Sequence, residues 1–287
     1  MMFKRFKPWL LLSPMLVIML VFVVYPICRT LVYSFYRLKL TEPGNVRFVG
    51  LENYLTVLQS SDFYQALINS LLVLIFVLVI GLIMSLAIAL MLNRRHVITP
   101  VLTAIAIIPW ALPPIVNGII WNFIFYPGYG FLNKLLINLQ LIDQPIAWTA
   151  NRWMLMMIAA LVVAWRVIPF CALLILANLQ TIPRELYEAA RVDGSTAWQD
   201  FRMVTLPLIW PSIGLALIQM TMAALNVFDE IVALAGYRYE TQTLLVYNYM
   251  NTFSFLNFGF GSAITYVITI LSGILAFVYI RKMAEKI

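Results

Sequence analysis

The sequence predicts an all-α integral membrane protein with six transmembrane helices. Three observations carry that prediction. The 287 residues are 63% hydrophobic and 11% charged, with a mean hydropathy of +0.92, whereas a soluble domain carries about 25% charged residues. Six segments are apolar over the length of about 20 residues that a span needs. One strongly polar stretch, Ile182 to Pro207, lies between the fourth and the fifth of them.

The first apolar run is Trp9–Leu31. Lys4, Arg5 and Lys7 precede it as they would a secretory signal, but Pro8 to Cys28 is uncharged and too long for a signal core. It also lacks a small-residue cleavage site, so it reads as an uncleaved span. The second run, Gln65–Leu92, is long enough to tilt or to extend past the hydrocarbon. The third, Thr99–Phe125, contains Pro109, Pro113 and Pro114. Prolines free backbone groups that lipid cannot satisfy, so this helix should be broken or kinked against its neighbours. The fourth, fifth and sixth runs are Met154–Leu179, Leu206–Ala235 and Gly261–Ile280, and the whole chain, 1–287, reads as one transmembrane domain. Between spans, Arg37–Asp62 and Tyr126–Arg152 carry Gly, Pro and Asn turn signals. Trp121, Tyr126, Tyr129, Trp148 and Trp153 suit an aromatic belt at the membrane–water boundary.

Charge sets the expected orientation. With six spans, Lys4, Arg5, Lys7, Arg94, Arg95, Arg184, Arg191, Arg202, Arg281, Lys282 and Lys286 share one side with both termini. Arg37, Lys39, Arg47, Lys134, Arg152 and Arg238 are spread over longer loops on the other. The positive-inside rule then puts both termini and the stretch 182–207 in the cytosol. Topology accounts for the net charge of +7, and no basic–aromatic stripe points to nucleic acid. Cys28 and Cys171 lie in or beside apolar spans and read as packing residues. The single His96 and the lack of a Cys-x-x-Cys pair give no usual zinc site. No G-x-x-x-x-G-K-[ST] loop is present to cradle nucleotide phosphates. If ATP drives this protein, another polypeptide binds it.

The polar stretch reads as two short helices around a glycine. Pro183 fits a helix start, and Glu185 and Glu188 lie toward the end where the helix dipole favours carboxylates. Leu186, Ala189 and Ala190 form a small apolar face with the side of Tyr187. Gly194 stops this helix as a residue able to take positive φ. Thr196 and Gln199 then fit a capping box opening a second helix, Ala197 to Met203. Arg191 and Asp193 are placed for a weak local pair.

Glu188-Ala189-Ala190, then Gly194, Val204 and Leu206-Pro207 at their spacing, resemble the EAA signature of permease subunits of bacterial ABC importers, with Val204 where that signature has Ile. The surrounding LQTIPRELYEAARVDG, AWQDF and TLPL resemble the sugar-type group that imports maltose and glycerol 3-phosphate. The resemblance reaches from Tyr25-Pro26 and VGLENY (Val49 to Tyr54) to the last span. It implies the type I importer architecture, MetI-like, with a cytosolic coupling helix in which Glu188, Ala189, Ala190 and Gly194 dock on an ATPase subunit. It also implies a multi-pass location in the bacterial cytoplasmic membrane. The implied partners are a second, different permease, two ATPase chains that carry ATP and Mg, and an extracytoplasmic substrate-binding protein. The chain itself would hold no cofactor and catalyse no reaction.

A charge inside a span is expensive and a functional candidate by default. Arg166 interrupts the fourth span, and Asp229 and Glu230 lie in the outer part of the fifth. Asn226 and Glu230, at i and i+4, would share a face of one helix, with Gln219 two turns below. In the permeases that this chain resembles, the sugar sits between these two helices. Carried over by position, Arg166, Val167, Phe170 and the residues around Asn226 match ligand-lining positions. Amide and carboxylate groups suit sugar hydroxyls and an aromatic face suits the ring. Arg166 has two readings: a partner that locks Asp229 or Glu230, or a reader of an anionic sugar. The alternative to an ATP-driven permease is an ion-coupled secondary transporter built on the same three charges.

Overall fold

The computed structural model describes residues 2–94 and 97–284, and side-chain environments for 11–94, 97–279 and 281. Arg95, His96 and Lys286 lie outside the described residues, as do the side chains of Lys4, Arg5, Lys7 and Lys282. The helices in chain order are α1 (Met2–Met19), α2 (Tyr25–Ser34), α3 (Glu52–Gln59), α4 (Ser61–Leu92), α5 (Thr99–Ala106), α6 (Ile108–Ala111), α7 (Pro114–Phe125) and α8 (Phe131–Asn138). They continue as α9 (Arg152–Leu179), α10 (Arg184–Val192), α11 (Ala197–Asp200), α12 (Leu206–Leu208), α13 (Trp210–Leu225), α14 (Asp229–Ala235), α15 (Leu244–Tyr249) and α16 (Phe258–Ala284). Four helices are long and apolar enough to cross a membrane, and six spans result if each of two bent pairs counts as one.

Two compact units divide the chain. The smaller comprises Met1–Phe63 and Asn248–Ile270. Here α1 and α2 join through a π-helical turn at Leu20–Val24, and the most apolar stretch of Leu11–Ser34 buries none of its residues. Such all-round apolarity is what a lipid-facing helix requires. Cys28 is exposed on it, so the packing role expected for Cys28 is not found. The loop after α2 holds a two-stranded antiparallel hairpin, β1 (Tyr36–Arg37) and β2 (Arg47–Phe48), which turn signals alone did not reveal. Asn53 fixes it, donating to the carbonyls of Ser34 and Tyr36 at 2.8 and 3.0 Å. Gly259 passes so close to the Tyr36 carbonyl that no side chain fits there. At the hairpin tip Glu42 accepts from Lys39 and Arg37, each at 2.9 Å. Those hydrogen bonds, Lys39 first, bring its carboxyl down to about 2. The depressed value means the cluster is complete above the ordinary carboxylate range and is lost only as the pH falls toward 2.

The larger unit comprises Tyr64–Tyr247 and Leu271–Ile287. Its axis is α9, buried along most of its length and started by Asn151, whose side chain accepts from the amides of Trp153 and Met154. α13 packs on α9, and α14 packs on α7 and α9. The third apolar run is broken where the prolines stand. Leu112 and Pro113, each followed by proline, take extended backbone, and the helices on either side are bent by 95°. The fifth run departs from expectation. It bends by 68° at Ile209 and stops again after Leu225, so Leu206–Ala235 is not one helix. Thr243 donates to the Val227 carbonyl at 2.9 Å, which satisfies a group freed by the second break, and the Asn226 side chain adds a second hydrogen bond to Met222 O at 2.8 Å.

At the start of α9 one buried amide ties three segments together. Asn69 of α4 donates to the carbonyls of Glu240 and Gln242 and accepts two hydrogen bonds from Arg152, at 3.0 and 2.9 Å. Trp121 does not belong to a boundary belt: its ring meets Trp165 edge-on and stacks with Phe125, and its indole nitrogen is buried. Trp148 donates to Asn133, while Tyr126 and Tyr129 stack on each other at 4.1 Å and remain exposed.

Candidate functional site

Polarity inside the larger unit centres on one ion pair. Arg166 donates from Nε to Glu230 Oε1 at 3.0 Å, with side-chain exposures of 17% and 2%. Of the two acids expected to compete for Arg166, Glu230 is the partner, and Asp229 makes no ion pair among the described residues. The break after Leu225 decides this. It re-aims the chain so that α14 begins at Asp229 and turns Glu230 inward against α9. The same break corrects the expected common face of Asn226 and Glu230: Asn226 is exposed and off the helix, whereas Glu230 is buried. Gln219 is half-buried on α13. Val167 is buried in the packing of α9, so it presents nothing to a ligand.

α7 supplies parts of the site that sequence reasoning missed. Gly118 lets α7 lie against α14. A Cβ at this position would stand 2.6 Å from the Ala233 Cβ and 3.0 Å from the Glu230 Cα. One turn further, Asn122 donates to the carbonyls of Ala233 and Leu234, at 2.8 and 3.2 Å, and so caps the end of α14. Asn117 donates to Val162 O at 3.2 Å, while its Oδ1 and the Trp121 Nε1 are buried without a partner among the described residues. Phe170, one turn along α9 from Arg166, stacks on Trp110 with centroids 4.8 Å apart and planes 13° apart. Trp110 rides on the short α6 between the two breaks of the third run. The prolines around Trp110 were the available signal for it; nothing local marks Gly118.

The polar stretch folds as the second feature. Pro183 is the N-cap of α10 rather than a residue of its first turn. Gly194 has φ +80°, and its amide and that of Ser195 donate back to Arg191 O and Ala190 O at 3.0 Å each, closing the helix as a glycine after its end does. Thr196 and Gln199 form the reciprocal capping box. The second helix stops at Asp200, which accepts from Ser195, and continues as a π-helical turn at Phe201–Thr205. Tyr187 and Thr205 are hydrogen-bonded at 3.0 Å across the elbow. Glu188 and Ala189 are exposed, as are the large apolar Val192, Trp198 and Met203. No ion pair joins Arg191 to Asp193 among the described residues, so the local pair expected there is absent.

Comparison with known proteins places these features in a family. Residues 77–286 match the family described as binding-protein-dependent transport system inner membrane component. The chain is 37% identical over 280 residues to the sulfoquinovosyl glycerol transport system permease protein SmoG of Agrobacterium fabrum, covering 96% of this chain and 90% of that protein. It is 35% identical over 277 residues to the trehalose/maltose transport system permease protein MalF of Thermococcus litoralis, covering 95% and 92%. In fold it resembles a chain of a bacterial ABC transporter involved in the import of the acidic polysaccharide alginate, with a TM-score of 0.84 and 23% identity over 99% of this chain and 98% of that one. These likenesses set aside the reading as a lone ion-coupled carrier and bear out the MetI-like, all-α membrane fold. The chain therefore belongs to the binding-protein-dependent transport system inner membrane components, as a multi-pass permease subunit of an ABC transporter.

Proposed function

We propose that this permease forms half of the pathway of an ATP-driven importer for a sugar or a sugar derivative. The observation that carries the reading is the elbow at 182–207, a rigid polar knob on an otherwise apolar chain. Its closing glycine, capping box and Tyr187–Thr205 bond fix its shape without any partner. Its exposed Glu188 and Ala189, with Val192, Trp198 and Met203 beside them, offer one carboxylate and apolar surface for docking. In this reading Glu188, Ala189, Ala190 and Gly194 couple the permease to an ATPase subunit. Two such subunits hold ATP and Mg, a second and different permease completes the pathway, and a binding protein delivers substrate from outside. ATP-driven closure of the ATPase pair moves the elbow and with it the spans.

The names of the relatives support a sugar or sugar derivative as cargo. Arg166, Phe170, Gln219, Asn226, Asp229 and Glu230 frame the substrate region, with Trp110 added and Val167 removed. Because Arg166 is already neutralised by Glu230, an uncharged sugar fits this region better than an acidic one.

Gly194→Val tests the coupling role. A β-branched residue at φ +80° costs about 1–2 kcal/mol. ATPase recovered with the inserted permease should fall about fivefold or more, and Glu188→Lys should reduce it as well. Full ATPase recovery and normal uptake in both variants would remove the elbow from the mechanism. Orientation is tested separately, with termini and elbow expected in the cytosol. Ser195→Cys should react with an impermeant thiol reagent only from the cytosolic side, and Gly44→Cys only from outside. Labelling of position 195 in intact cells would reverse the topology.

A further inference from the structure

An open groove of about 1390 Å³ lies in the larger unit, away from the ion pair. Its lining includes the apolar Leu92, Leu173, Leu176 and Ile182. It also includes Arg94 and Arg184, with the polar Asn93 and Gln180. Both arginines are exposed, and neither has a carboxylate within ion-pair distance among the described residues. Arg94 lies two residues past the end of α4 at Leu92, and Arg184 opens α10 five residues past the end of α9 at Leu179, so both stand close to the ends of long apolar helices. The groove thus brings leucine side chains and two guanidinium groups together near the ends of two long apolar helices.

From this juxtaposition we propose that the groove is a binding site for an anionic phospholipid, with the phosphate on Arg94 and Arg184 and an acyl chain along the leucines. Basic pockets between transmembrane helices at the cytoplasmic surface suit such headgroups, and each guanidinium near the surface contributes about 1 kcal/mol toward an anionic lipid. Arg presents a forked donor that matches phosphate oxygens. A sugar leaving the pathway is a poorer occupant. The groove has no Trp or Phe to face a pyranose ring, and the hydroxyl of its one Tyr, Tyr187, already bonds Thr205. The proposal rests on the cytosolic placement of the elbow proposed above; it does not depend on the cargo or on the coupling role of the elbow.

The assembled transporter is purified from a bilayer holding phosphatidylglycerol and phosphatidylethanolamine in equal amounts, and the retained lipids are measured by native mass spectrometry. Wild type should retain phosphatidylglycerol in preference. Arg94→Gln and Arg184→Gln should each lower that retention about fivefold, while the charge-preserving pair Arg94→Lys with Arg184→Lys should keep most of it. Arg281→Gln removes the same charge at another span end and should change nothing. Equal retention of both lipids by wild type overturns the proposal whether or not the variants fold. An Arg281→Gln loss as large as the others overturns it too, because a diffuse surface field would then suffice. Displacement of the lipid by inorganic phosphate marks a simple ion site, and displacement by trehalose marks a sugar site; either result also overturns it.

Discussion

Glu230→Ala is expected to destabilise the assembled permease by about 3 kcal/mol, near the low end of the range of roughly 3–5 kcal/mol for breaking a buried ion pair. The low end applies because Arg166 is 17% exposed, so the guanidinium left behind is not fully enclosed by the chain. The loss comes from the survivor: a guanidinium inside a span cannot shed its proton at any useful pH. Arg166→Gln should also lose complex, because Glu230, at 2% exposure, is then the unpaired charge. The double variant Arg166→Gln with Glu230→Gln should recover most of the complex, since no buried charge remains. The fraction of intact complex after graded heating, read by gel filtration beside uptake, checks all three. If Arg166→Gln assembles fully but does not transport, and Glu230→Gln restores nothing, Arg166 reads substrate instead. Wild-type stability in Glu230→Ala would show that the pair has no structural role.

Gly118→Leu should be comparably damaging. Even the first added carbon would sit 2.6 Å from the Ala233 Cβ and 3.0 Å from the Glu230 Cα, and the latter is backbone that cannot swing away. Overpacking of this kind costs about 1–3 kcal/mol. It would also drag on the Asn122 hydrogen bonds and on the position of Glu230. Gly118→Ala sets two effects against each other. Helix propensity favours Ala by about 1 kcal/mol, but the clash exceeds that, so a net loss is expected. Adding Ala233→Gly removes the nearer contact and should recover part of the stability, with the Glu230 Cα still too close for full recovery. Unchanged heat resistance of Gly118→Ala would mean that α7 and α14 do not need this approach.

What could be read in the sequence was what is encoded locally. The break of the third run follows from Pro113 and Pro114, which force their preceding residues out of the helix. The elbow follows from Gly194, Thr196 and Gln199, whose roles depend on neighbours within a few positions. The break after Leu225 has no such marker. Asn226-Val227-Phe228 contains neither Pro nor Gly, and the interruption is held by distant groups, Thr243 on Val227 O and Asn122 on the far end of α14. That is why Asn226 and Glu230 were expected on one face, and why the choice between Asp229 and Glu230 stayed open. Trp121 misled for a similar reason. An indole at a span end suits the interface, but only the placement of Trp165 and Phe125 shows that this ring faces inward.

The Arg166–Glu230 pair also bears on what powers the cycle. A single embedded charge that shifted across the bilayer would couple the conformational change to membrane voltage, at about 2.3 kcal/mol per charge per 100 mV. Two opposite charges held 3.0 Å apart and moving together carry almost no net charge through the field. Within the proposed cycle a shift of this pair would therefore add almost nothing to voltage dependence, and Asp229, which makes no ion pair among the described residues, is the charge of this region left to respond to the field.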